Sequence, residues 1–176
     1  MDEHRFQIHL GGIIDLLSNH LYSGPQVYVR ELLQNGVDAI AARRRLEPEH
    51  AGRIELEVLG GTPPTLLCVD DGVGLTREEV HGFLATIGES SKRGGLELDR
   101  DDYLGQFGIG LLSCFLVSEE IVLITRSAKE REPALEWRGR PDGTYAVREL
   151  EREVPPGTQV YLRARSGCEE WLARER

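Results

Sequence analysis

The chain has 176 residues, 40% of them apolar and 29% charged, with a formal net charge of −9. This is ordinary globular composition, long enough for one buried core, so a single domain over 1–176 is expected. The acidic balance argues against an electrostatic nucleic-acid binder and a polybasic membrane surface, and no apolar run approaches the roughly 18 residues of a membrane span.

The opening MDEHRFQIHL carries charges where a secretory signal needs an apolar run. FQIHL (6–10) reads as a short strand and IIDLL (13–17) as the start of a helix. Gly24-Pro25 punctuates the chain before a long helix at about 26–45, which ends in the basic run Arg43-Arg44-Arg45 where the helix dipole favours cations. RIELEVL (53–59) alternates like a half-buried strand, and TLLCVD (65–70) is a nearly continuous apolar one. A short helix is expected at 77–86, with Thr76 and Glu79 spaced as a capping box. Residues 88–104 are charged, glycine-rich and without period, a length of connection that usually serves a function or is disordered. Strands then follow at IVLIT (121–125), ALEW (134–137), TYAVREL (144–150) and QVYLRA (159–164), with a turn at Asp142-Gly143. The order of elements predicts an α+β fold: a two-layer α/β sandwich whose largely antiparallel, mixed sheet is covered on one face by helices. Cys68, Cys114 and Cys168 are odd in number and widely spaced, which reads as small core residues in a reducing compartment, the cytoplasm. The five histidines show no zinc-ligand spacing.

Three motifs can carry chemistry. In RELLQNGVDAIAARRR, Glu31, Asn35 and Asp38 share a stripe about 60° wide, with Val29, Leu33 and Ile40 opposite. An ordinary surface helix shows the same split. Asn35-Gly36 in mid-helix is nonetheless a poor propensity choice, and an acid one turn from an amide suits a hydrated metal ion. In VDDGVGLT (69–76) an apolar strand ends at Asp70, with Gly72 and Gly74 beyond it. This is either a simple turn or a carboxylate facing a pocket, ready to accept from a ligand amine. GQFGIG (105–110) precedes an apolar run and is neither a Walker A loop nor the dinucleotide fingerprint. Its glycines either present backbone N–H groups to an anion at a helix N-terminus or allow a close helix contact.

The order and spacing of these motifs resemble the ATP-binding domain of the gyrase, heat-shock protein 90, histidine kinase and mismatch-repair superfamily. HLYSGPQVYVRELLQNGVDAI, ATIGESS, LGQFGIGLLSCF and PPGTQVYL are similar to the heat-shock protein 90 (HtpG-type) branch in particular. The resemblance implies a Bergerat-type fold with a lid at about 88–110, and ATP or ADP with Mg2+ as cofactors. It implies Glu31 as the general base, supported by Arg30, and Asn35 as the Mg2+ ligand through ATP. It assigns nucleotide contacts to Asn35, Asp38, Asp70 (the adenine amine), Gly74 and Leu75, and to Thr158, which assists Asp70 through a water. Gly105, Gln106, Phe107, Gly108, Ile109, Gly110 and Leu111 would form the lid hinge and phosphate cradle. Three departures stand out: Glu89 where the chaperones carry a lysine, with Lys92 three residues on; Phe83 in place of an asparagine; and Leu111 in place of an aromatic. The function implied is a chaperone ATPase domain that hydrolyses Mg-ATP slowly to drive lid closure for protein folding in the stress response. Its clients would bind through middle and C-terminal domains absent from this chain, and a homodimer is possible. The alternatives are a nucleotide-binding module without efficient hydrolysis and a DNA-repair or topoisomerase ATPase.

Overall fold

A computed structural model describes residues 3–5, 24–82 and 110–173. The strand expected at 6–10, the helix start at 13–17, the connection at 88–104 and the glycines before Gly110 lie outside the described residues, as do Phe83, Glu89 and Lys92.

The described elements are β1 (Glu3–Arg5), α1 (Val27–Leu46), β2 (Ile54–Leu59), β3 (Thr65–Asp70), β4 (Ser118–Arg126), β5 (Leu135–Gly139), β6 (Thr144–Glu149) and β7 (Gly157–Ala164). A short helix occupies 77–82, and a helical turn at 110–112 tightens into a 3-10 helix at Ser113–Leu116. A last 3-10 turn spans Glu169–Leu172. The seven strands form one sheet in the order β1-β6-β5-β4-β7-β3-β2. Every strand pair described is antiparallel, so the α+β reading holds without a parallel pair among the described residues.

β4, β5 and β6 follow one another as hairpins, the second closed by Gly143 at φ 86° and by Asp142, whose carboxylate accepts from the Thr144 N–H at 2.9 Å. β7 then crosses back to lie between β4 and β3, which brings the ends of three strands together. Central β4 is buried on both faces from Ile121 to Thr125. On one side its neighbours are α1 and the turn at 110–116, around Trp137, Phe115, Leu111, Leu112, Ile121, Leu123 and Leu162, none more than 1–2% exposed. On the other side Val122 and Ile124 sit under Leu150 and Val154 in a smaller apolar cluster. Two buried cores thus flank the sheet, and the described helices pack against one of its faces.

The expected capping box is formed: Glu79 accepts from the Thr76 N–H at 2.8 Å, and the Thr76 hydroxyl accepts from the Glu79 N–H at 3.1 Å. The side chains at Cys68 and Cys114 are buried free thiols packed in the main core. Of the apolar face expected on α1, Ile40 is buried and Val29 packs against the core, and only Leu33 is corrected. Leu33 and Val37 are exposed at 37% and 54%, while Val27, Tyr28, Leu32, Gly36, Ala39 and Ile40 make the buried stripe. Glu31, Asn35 and Asp38 therefore flank the buried stripe rather than oppose it. The sheet meets α1 at Gly36 and the loop after β3 meets it at Ala39, residues that no hydrophobicity count weights strongly.

Candidate functional site

The site is assembled along the side of α1. Gly36 explains the unfavourable mid-helix Asn-Gly. A Cβ there would lie 2.8 Å from Ile54 Cδ1 and 3.4 Å from Asp70 Cβ, so the glycine brings the helix close onto the ends of β2 and β3. At the other end, a Cβ on Gly110 would lie 2.7 Å from Glu31 Oε2. The last glycine of GQFGIG therefore abuts the carboxylate of the first motif. Glu31 and Gly36 are five residues apart, about 7.5 Å along the helix. Asp70 and Gly110 thus mark two ends of one elongated site wall, with Asn35 between them.

Asp70 is the last residue of β3. Its Oδ1 accepts from the Gly72 N–H at 2.9 Å. Burial pushes its carboxyl up to about 7; the backbone N–H of Gly72 pulls down, the Asp71 charge adds to the rise, and the backbone of Thr158 pulls down again. The loop beyond it is tied on both sides. The Val73 N–H donates to Ala39 O at 2.9 Å, and the Ala128 N–H donates to Val73 O at 2.7 Å. Gly74 has φ +65° and presses on the Arg126 carbonyl, where a Cβ has no room. Leu75 is buried, and its N–H donates to Thr125 Oγ1 at 2.9 Å.

Thr158 pairs directly with Asp70 on one side and with Thr125 on the other. Directly opposed residues point to the same face of a sheet, so these three side chains line up across β3, β7 and β4. Thr125 escaped the sequence reading. A single polar residue ending the apolar run IVLIT was its only local signal, and its significance depends on register.

The remaining candidates fall out as follows. Asn35 is half-buried, and its Nδ2 has no hydrogen-bond partner among the described residues. A buried orphan amide calls for a ligand or water, since leaving it unbonded costs about 1–3 kcal/mol. Arg30 Nη2 lies 3.4 Å from Glu31 Oε1, an exposed contact beside a side chain that is 21% exposed. The Asp38 carboxylate accepts from Gln34 Nε2 at 3.0 Å on the exposed flank, an ordinary i,i+4 helix contact. Leu111 is fully buried, packed in the core. Gly105, Gln106, Phe107, Gly108 and Ile109 lie outside the described residues.

This wall combines a half-buried acceptor at a strand end, an amide in mid-helix without a partner among the described residues and an acid against a glycine. The sequence profile of the Histidine kinase-, DNA gyrase B-, and HSP90-like ATPase family matches residues 22–144, and the chain belongs to that family. It is similar to the chaperone protein HtpG of Geobacter sulfurreducens, 32% identical over 96% of this chain and 28% of that protein. It is 33% identical to HtpG of Escherichia coli over 95% of this chain and 29% of that protein. The mitochondrial heat shock protein 75 kDa of Rattus norvegicus is 28% identical over 100% of this chain and 26% of its own length. The chain therefore spans less than a third of the length of these relatives.

Proposed function

We propose that residues 1–176 form one nucleotide-binding domain that holds ATP along α1 and hydrolyses it slowly, as the ATPase part of a chaperone. The observation that carries the reading is Asp70, a half-buried carboxylate at a strand end, desolvated enough to raise its pKa, with a loop pinned around it. Such a group is costly to ionise unless it receives a donor, and the exocyclic amine of adenine supplies one. The names of the relatives, HtpG and heat shock protein 75 kDa, support the chaperone reading.

Each residue has a role that its chemistry permits. Asp70 accepts from the purine amine, with Thr158 beside it, and Gly74 and Leu75 offer backbone and apolar surface to the base. Glu31 orients the attacking water and takes its proton; the contact with Gly110 keeps its carboxylate at the phosphate end. Gly105 through Gly110 present N–H groups to the phosphates, and residues 88–110 act as the lid. The orphan amide of Asn35 fits a hydrated Mg2+, because a half-turn of the side chain turns its oxygen toward the cation. Mg2+, when bound, draws charge from the phosphate oxygens.

Calorimetric titration with ATP and ADP, with and without Mg2+, tests the reading. Micromolar-range binding that strengthens with Mg2+ is expected. Absence of heat at micromolar protein sinks it.

A further inference from the structure

Thr125 is fully buried, and its hydroxyl touches three polar groups. The Leu75 N–H donates to it at 2.9 Å, the Gly157 carbonyl lies at 3.2 Å and the Thr158 hydroxyl at 3.1 Å. A hydroxyl has one proton and two lone pairs. If the Thr125 proton goes to Gly157, its lone pairs receive the Leu75 N–H and the Thr158 O–H, and every capacity is used. If Thr125 donates to Thr158 instead, one of its lone pairs is left idle and the Gly157 carbonyl loses this bond. At a site with 0% exposure the fully used arrangement prevails.

The consequence falls on Thr158. Its proton points away from the site, toward Thr125, so both its lone pairs remain for a ligand or a water. Thr158 and Asp70 oppose each other in register, which sets two acceptors side by side on one wall. We infer that Thr125 is a positioning residue for base selection: it holds Thr158 as an acceptor next to Asp70, so that the site takes a purine with an amine at position 6 and rejects a 6-oxo purine. This rests on the nucleotide reading above and adds the group that enforces the choice of base. An amino group brings donors to two acceptors, whereas a carbonyl oxygen meets their lone pairs. Through the Leu75 bond, Thr125 also couples the pinned loop to the same relay.

The test is binding of ATP and ITP, which differ only in the base around position 6, to the wild-type chain and to Thr125→Val, Thr125→Ser and Thr158→Val. The wild type prefers ATP. Thr125→Val frees the Thr158 hydroxyl to turn and donate, so ATP weakens by about tenfold and the ATP-to-ITP ratio contracts by a similar factor. Thr125→Ser, which keeps the hydroxyl, restores the ratio. An unchanged ratio in Thr125→Val, with both nucleotides weakened alike or neither, overturns the inference, since a purely structural role acts on both equally. Should Thr125→Val not fold, Thr158→Val decides: it leaves the Thr125 bonds to Leu75 and Gly157 in place and must contract the ratio, and an unmoved ratio overturns the relay. Failure of the wild type to bind ATP at all overturns the nucleotide reading beneath it.

Discussion

Asp70→Asn should move stability and binding in opposite directions. Burial pushes this carboxyl up to about 7, against the opposing pull of the Gly72 and Thr158 backbones. In the unfolded chain an aspartate titrates near about 3.9. Three pKa units at 1.36 kcal/mol each make the ionised side chain cost the fold about 4 kcal/mol at pH 8. Between pH about 4 and 7 the folded state holds a proton that the unfolded state has released, so wild-type stability falls as pH rises through that window. Above pH about 7 the penalty is constant. Asparagine has nothing to ionise, and its carbonyl oxygen can still accept from the Gly72 N–H. The variant should therefore be the more stable protein at pH 8 by up to about 4 kcal/mol, with the gap closing toward pH 4. Urea denaturation of both proteins at five or six pH values between 4 and 8 measures the gap, because titrations common to both cancel in the difference. The same variant should lose ATP binding, since an amide presents a donor where the ligand amine needs an acceptor. A variant less stable than wild type at pH 8, or a gap that ignores pH, would refute the argument from burial.

Wild-type affinity for ATP should rise as pH passes upward through about 7, because the ionised carboxyl is the better acceptor; calorimetry in buffers of differing ionisation heat should record proton release near neutrality. Glu31→Gln should bind ATP as tightly as wild type and lose turnover by at least a hundredfold, and retained hydrolysis would identify another base. Gly110→Ala should unfold at nearly the wild-type urea concentration, because the new methyl meets the far end of the Glu31 side chain, which can swing aside. Its hydrolysis should nonetheless fall, since the displaced carboxylate is the proposed base. Glu136 is only 4% exposed, and hydrogen bonds from Arg148 and Arg138 outweigh burial and hold its carboxyl below the usual range. Glu136→Gln should cost about 2 kcal/mol at pH 7. That loss should vanish as pH falls through the carboxyl's own titration, because the pair stabilises only while ionised.

The features legible in the amino-acid sequence were those encoded over a few neighbouring residues. The span of β3, the length of α1, the Thr76–Glu79 capping box and the Asp142-Gly143 turn each rest on local periodicity, capping or turn chemistry, and each appears where it was read. The three motifs were visible as motifs, but their spatial relation was not. Glu31 touches Gly110 across 79 positions of sequence, and Gly36 meets Asp70 across 34. No local rule connects such pairs, because they are set by where β7 inserts and by which side of α1 the sheet accepts. The same tertiary choice moved the buried stripe of α1 off Leu33 and onto Gly36 and Ala39, where small side chains permit close approach. Thr125 depends wholly on it: as a residue ending an apolar strand it is unremarked, and only its register with Thr158 and Asp70 makes it part of the site. The sequence by itself determined the strand and helix segments and the chemical types at the site. The antiparallel register of β3, β7 and β4 decided which of those groups face one another, because side chains meet across a sheet only where hydrogen-bonded strands bring them opposite.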